Sequence, residues 1–307
     1  MHIAIHVLIV ALSIVALWKG ADWAVESAAR IARRLGIPEL VIGLTVIAIG
    51  TSAPEFAVSI GAAIKGQADI SLGNVVGSNI FNLGLILGFV LLFRGSATNR
   101  PLVWRDGMML VLASLLLVVF LYDSVLQKWE GAVLIAVLIS YLLVLLFSHH
   151  APDSDGPAGE YRFIDIPTML FGLGLIIAGA HFLVDSASVL ARLAGVSEWV
   201  ISMTIVALGT SLPEMSTSLI AILKGYYGIS VGNLVGSDLF NLLGVLGVAS
   251  VIRPLYTSPE GYTGVIMLSF FMVLLLIMMR TGWKLTRTEG AVLIALAVLR
   301  MAISLYH

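Results

Sequence analysis

The chain has 307 residues, 59% of them hydrophobic and 11% charged, with a formal net charge of -1 and no cysteine. A composition this apolar excludes an ordinary soluble domain and marks an integral membrane protein. The near-neutral charge argues neither for nucleic acid nor for attraction to anionic lipid, and the missing thiols exclude disulfides and thiolate metal sites.

About 20 apolar residues suffice to cross a bilayer. Runs of that length predict ten transmembrane helices, over 3–30, 38–65, 69–93, 101–122, 128–148, 163–190, 197–224, 228–252, 262–280 and 288–305. The first is expected to be retained rather than cleaved as a signal, because it continues into the amphipathic "ADWAVESAARIARRLG", which has a counterpart in "AHFLVDSASVLARLAG". Asp22 aligns with His181, both expected near a membrane interface, and Glu26 with Asp185, both expected to cap or form ion pairs. His2, His6, His149, His150 and His307 lie near the termini or in a linker, where solvated side chains are expected.

In the second span, "GTSAPE" (50–55) places Pro54 and Glu55 in an apolar helix. Proline has no amide hydrogen, and its ring clashes with the carbonyl four residues earlier, here Gly50. The helix must break or kink there, freeing carbonyls near Ala48 and Gly50. Irregular backbone at this depth is tolerated only where it is buried in protein or lines a watery cavity. Thr51, Ser52 and Glu55 add side-chain oxygens beside the break, and Thr51 and Glu55 share a helix face. In the third span Asn74, Ser78 and Asn82 recur every four residues as a polar stripe, with Gly73 and Gly77 at a spacing that lets a neighbouring helix approach. The one long polar break, "HHAPDSDGPAGEYR" at 149–162, reads as a short cytoplasmic linker.

Beyond that linker the pattern returns. Shifting the chain by 159 residues aligns 41–66 with 200–225 without a gap, 13 of 26 positions being identical. At the same offset "ISLGNVVGSNIFNL" (70–83) meets "ISVGNLVGSDLFNL" (229–242), and "EGAVLIA" at 130 meets "EGAVLIA" at 289. Thr210, Ser211, Glu214, Asn233, Ser237, Asn241 and the carbonyl of Ala207 therefore repeat the first set. The chain divides into a five-helix repeat at 1–148 and its copy at 163–307. An odd number of crossings makes the copies inverted. Of the 17 Lys and Arg residues, only Lys65, Lys128, Arg192, Arg253 and Arg300 fall on one side, which puts the other side in the cytoplasm and both termini outside.

A lone proline kink in a membrane helix is usually structural, and single Ser, Thr or Asn residues more often bond between helices than bind ligands. A carboxylate at mid-membrane is different, since its burial is expensive and functional by default. Two of them, repeated with hydroxyls, carboxamides and freed carbonyls and without basic neighbours in sequence, describe a site for hard cations. Ca²⁺ takes six to eight such oxygens in a flexible shell, and Na⁺, of similar size, can compete for them.

The paired GTSxPE and GNxxGSxxFN motifs resemble those of the cation/calcium antiporter superfamily, in particular prokaryotic sodium/calcium exchangers, and the resemblance covers essentially the whole chain. It implies an all-α membrane protein of ten helices in two inverted five-helix repeats, with broken helices at the midplane. It also implies that Glu55 and Glu214 are central carboxylates. Thr51, Ser52, Ser78 and Asn82, with Thr210, Ser211, Ser237 and Asn241, would be further ligands, and Ala48 and Ala207 would offer backbone carbonyls. Potassium-dependent relatives carry aspartate where this chain has Asn241, which argues against potassium cotransport. Asp238 stands where the first repeat has Asn79, and either edges toward the ions or faces a neighbouring polar group.

The expected activity is exchange of Ca²⁺ for Na⁺ by alternating access, the two ions being substrates rather than cofactors, in a monomeric, non-enzymatic protein of the cell (inner) membrane. Proton-coupled calcium antiport through the same glutamates is the alternative. A cation channel fits the paired central carboxylates less well.

Overall fold

The computed structural model describes residues 2–93, 95–147, 160–196, 201, 205 and 207–306. Most of the expected linker, 149–159, and much of the start of the seventh expected span therefore lie outside the described residues, as do His149, His150 and His307. In chain order the helices are α1 (His2–Leu35), α2 (Glu39–Thr51), α3 (Ala53–Lys65), α4 (Ala68–Phe93), α5 (Leu102–Asp123), α6 (Lys128–Phe147), α7 (Asp165–Leu193), α8 (Ala207–Gly209), α9 (Leu212–Leu223), α10 (Tyr227–Ile252), α11 (Pro259–Trp283) and α12 (Arg287–Tyr306). Among the described residues seven helices are long and apolar enough to cross a membrane, or eight if the broken pair α2 and α3 is one span.

The chain forms two compact units, and each takes a segment from both sequence repeats. One comprises residues 1–54 and 149–233, the other 55–148 and 234–307.

In the first unit, α1 lies along α7. Small residues make this close approach possible. A Cβ on Gly20 would sit 2.7 Å from the carbonyl oxygen of Gly172, and one on Gly172 equally close to that of Gly20. Gly179 meets the carbonyl of Ser13 at 3.1 Å in the same way. Shifting Gly20 and Ser13 by 159 residues gives Gly179 and Gly172, so the two contacts are related by the sequence repeat. Buried Ala21, Ala24, Ala28 and Ala32 continue the smooth face of α1, and Met169, Leu173 and Ile176 of α7 fill the core with Ile220 and Ile229. Gly43 of α2 comes close to α10, where an added Cβ would lie 2.7 Å from the oxygen of Ile229.

In the second unit, α12 lies against the later half of α4 through Gly88 and Gly290, and α6 against the later half of α10 through Gly131 and Gly247. Here the all-helical expectation needs a small amendment. Residues Ser96–Ala97 pair antiparallel with Lys284–Leu285, and Val125–Leu126 with Leu255–Tyr256. These two-residue ladders satisfy backbone groups where helices end, so the protein is mostly rather than wholly helical.

Both α4 and α10 widen into a π-helix at matching places, Phe81–Ile86 and Phe240–Val245. A π segment holds an extra residue in its turn and is often found at functional sites. Asn82 and Asn241 each occupy the second position of one.

Candidate cation-binding residues

The break after α2 is local. Ser52 has φ -77° and ψ 7°, while its N–H still reaches the Ala48 oxygen at 3.0 Å. Pro54 then falls in the first turn of α3, where its missing N–H costs no helical hydrogen bond. The second repeat breaks more tightly. Ser211 (φ -90°, ψ 6°) directs its N–H to Leu208, three residues back, at 3.2 Å, and Pro213 lies in the first turn of α9. Glu55 and Glu214 thus both sit in the first turn of a half-helix. The unpaired N–H groups and positive dipole end there favour a negative charge.

In the first unit, Thr51, Ser52, Ser211, Glu214 and Asn233 are fully buried. The Ser52 hydroxyl donates to Glu214 Oε1 at 3.1 Å. Thr51 Oγ lies 3.0 Å from Asn233 Oδ1 and 3.3 Å from the carbonyl of Ala48. Asn233 in turn donates through Nδ2 to Ser218 Oγ (3.0 Å) and the backbone oxygen of Glu214 (3.4 Å), clasping α9 onto α10. The buried Thr210 Oγ has no hydrogen-bond partner among the described residues. Ala207 lies in the short α8 that leads to this break.

The second unit repeats the clasp around Glu55, also fully buried. Asn74 Nδ2 donates to Ser59 Oγ at 2.9 Å and to the Glu55 backbone oxygen at 3.3 Å. Ser59 caps the Ser71 carbonyl as Ser218 caps that of Ser230, at 3.3 and 3.4 Å. Asn74 therefore holds the glutamate helix in place, a role its position in a polar stripe did not reveal.

Further along α4 and α10, Asn79, Asn82, Ser237, Asp238 and Asn241 are all fully buried. Asn82 Nδ2 donates to Asp238 Oδ1 at 3.0 Å, and Asn241 Nδ2 to Asn79 Oδ1 at 3.1 Å and Ser78 Oγ at 3.4 Å. The Ser78 hydroxyl is turned back to the Val75 carbonyl at 3.1 Å. Asp238 thus faces Asn82 through Oδ1.

Of the expected ligands, Ala48, Thr51, Ser52, Ala207, Thr210, Ser211 and Glu214 belong to the first unit, and Glu55, Ser78, Asn82, Ser237 and Asn241 to the second. The amide nitrogens of Asn82 and Asn241 are spent on protein acceptors, while their Oδ1 atoms have no hydrogen-bond partner among the described residues. Buried acceptor oxygens without donors are costly unless a cation meets them. Carboxylate, hydroxyl and amide oxygens of this kind suit Ca²⁺ and Na⁺.

Several charged residues away from these motifs form ion pairs. Lys224 bonds both Asp22 and Glu26, and Arg30 reaches Asp165 at 2.8 Å, which fulfils the ion-pairing expectation for Glu26. Asp185 meets His181 at 3.3 Å on an exposed face.

Residues 5–147 and 165–306 match the family described as sodium/calcium exchanger protein. The chain is 38% identical to the CaxA protein of Alkalimonas amylolytica, over 89% of this chain and 90% of that one. It is 33% identical to the sodium/calcium exchanger MaX1 of Methanosarcina acetivorans over 99% of each. The solved structure of the sodium-calcium exchanger NCX_Mj superposes with a TM-score of 0.88 at 30% identity, covering 98% of this chain and 99% of the other.

Proposed function

This chain belongs to the sodium/calcium exchanger protein family of multi-pass membrane antiporters, and from that premise we propose that it moves Ca²⁺ across the cell membrane in exchange for Na⁺. Glu55 and Glu214 supply the carboxylates that bind Ca²⁺. Thr51, Ser52, Ser78, Asn82, Thr210, Ser211, Ser237 and Asn241 supply neutral oxygens, and Ala48 and Ala207 supply backbone carbonyls. Na⁺ competes for the same oxygens, and because the two ions cannot both occupy them fully, the arrival of one favours release of the other. Ten crossings in two inverted repeats, with both termini outside, would let a single chain expose these ligands alternately to each side.

The observation that supports this reading best is the hydrogen bond from Ser52 to Glu214. It brings Ser52 of the first GTSxPE motif against Glu214 of the second, both fully buried. A hydroxyl that gives its hydrogen to a carboxylate still has lone pairs for a cation. The sodium coupling rests on the likeness to the sodium/calcium exchangers MaX1 and NCX_Mj.

The test is ⁴⁵Ca²⁺ uptake into vesicles containing the purified protein, driven in parallel by an outward Na⁺ gradient and an outward proton gradient. Uptake with the Na⁺ gradient alone is expected. Uptake with the proton gradient alone would replace the coupling ion and keep the glutamates, and conductance far above carrier rates would indicate a channel.

A further inference from the structure

Asp238 is a third fully buried carboxylate in a motif region, on α10 beside Ser237. Its counterpart 159 residues earlier is Asn79. The two residues do the same job for opposite partners, Asp238 Oδ1 accepting from Asn82 Nδ2 at 3.0 Å and Asn79 Oδ1 accepting from Asn241 Nδ2 at 3.1 Å. The contacts are equivalent in sequence and differ in the acceptor, a carboxylate in one and a carboxamide in the other, with Asn241 Nδ2 also reaching Ser78 Oγ.

That difference is informative, because the chain itself shows that a neutral amide at this position is enough to hold the facing asparagine. A charge is not needed for the hydrogen bond, and burying one is expensive. It is retained to advantage only if it serves something else, and the group it touches identifies what. A carboxylate accepts hydrogen bonds and donates none, so it fixes the Asn82 amide with nitrogen toward Asp238 and Oδ1 away from it. Asn82 Oδ1 has no hydrogen-bond partner among the described residues. A charge-assisted bond to the amide nitrogen draws more negative charge onto that oxygen, as outer partners do for the ligands of metal sites. Asn79 is itself held by Asp238, donating through Nδ2 to its backbone oxygen at 3.2 Å, so both halves of the arrangement are ordered.

We propose that Asp238 is a positioning residue that orients and polarises Asn82, making it a stronger cation ligand than its counterpart Asn241. This rests on the cation-antiport reading in taking Asn82 as a ligand, and it acts through Asn82 rather than by direct contact with the ion.

The experiment is equilibrium dialysis of ⁴⁵Ca²⁺ against purified wild-type protein, Asp238→Asn, Asn82→Ala, the double variant Asp238→Asn/Asn82→Ala, and the exchanged pair Asn79→Asp/Asp238→Asn. Gradient-driven uptake by the same preparations is measured alongside. Asp238→Asn keeps the acceptor and removes the charge, and should weaken Ca²⁺ binding about tenfold, the lower end of the loss typical for outer partners. The maximal uptake rate should stay within about twofold, so that the effect falls on KM. On the Asn82→Ala background the same substitution should add nothing, because coupled residues are not additive. The exchanged pair moves the carboxylate onto Asn241 and should bind Ca²⁺ within about threefold of wild type. Unchanged affinity in Asp238→Asn would overturn the proposal, and so would an equal loss with and without Asn82, which would make Asp238 a direct ligand. If Asp238→Asn does not fold, the exchanged pair decides, a loss of about tenfold or more counting against the proposal. Wild-type protein that binds Ca²⁺ but shows no driven uptake would defeat the antiport reading alone, and wild-type protein that binds no Ca²⁺ would defeat both.

Discussion

Ser52 donates its hydroxyl hydrogen to the carboxylate of Glu214 at 3.1 Å, across 162 positions of sequence. One motif of the first repeat thereby orients the acid of the second, inside one unit. A hydrogen bond to a charged group is worth about 1.5–3 kcal/mol. Ser52→Ala should therefore lower apparent Ca²⁺ affinity about tenfold or more, with the protein still eluting as a single folded species. Initial rates of ⁴⁵Ca²⁺ uptake over a range of Ca²⁺ concentrations would measure it, and an unchanged KM would count against Ser52 as a ligand that also orients Glu214.

The glutamates themselves should matter more. Glu55→Gln and Glu214→Gln keep the side-chain shape and remove the charge that offsets a divalent ion in a dry site. Removing one partner of a buried charge pair costs about 3–5 kcal/mol. Ca²⁺ uptake should fall by a factor of about 100 or more in either variant. Near-normal uptake by well-folded Glu55→Gln protein would sink the assignment of that carboxylate.

The Asn233 and Asn74 clasps predict a loss of stability as well as of transport. Asn233→Ala removes one partner of Thr51 and leaves Ser218 Oγ and the Glu214 carbonyl each with one donor fewer. Each buried polar group left unsatisfied costs about 1–3 kcal/mol. The detergent-solubilised variant should melt several degrees below wild type, and Asn74→Ala should behave alike. Wild-type melting in both would show that the clasps are dispensable.

The contact between α1 and α7 leaves no room at its glycines. Gly20→Val would push a side chain into the Gly172 carbonyl, which is backbone and cannot swing away. Overpacking of this kind costs about 1–3 kcal/mol. We expect a lower melting temperature and slower exchange, and Gly172→Val should reproduce both. Thermal unfolding and uptake on one preparation would check the pair.

Much of this organisation can be read in the sequence, because the physics behind it is linear. Apolar length predicts the crossings, the helix-breaking Pro54 and Pro213 mark the breaks, and the 159-residue offset pairs Glu55 with Glu214. Other features depend on three-dimensional neighbours. Asn74, Ser78 and Asn82 look alike as a stripe of equal spacing, yet Asn74 holds a helix, Ser78 bonds back to Val75 and Asn82 faces Asp238. The π segments at Phe81–Ile86 and Phe240–Val245 shift the register by one residue within a turn, and a hydrophobic period carries no sign of that. In the sequence Arg105 is simply one of the Lys and Arg residues counted on the expected cytoplasmic side. In the structure it forms a two-bond pair with fully buried Asp106, which also accepts from Tyr141 at 2.8 Å.

Each unit is assembled from one stretch of the first repeat and one of the second, so neither repeat contains a whole unit. A protein made of one repeat alone would have to borrow the missing stretch from a twin, and would become complete only where two copies met in the membrane. Two copies in tandem have no such dependence on abundance, since a tethered partner is always present at high effective concentration. Copies in one chain can also differ from each other, as they do at Asn79 and Asp238.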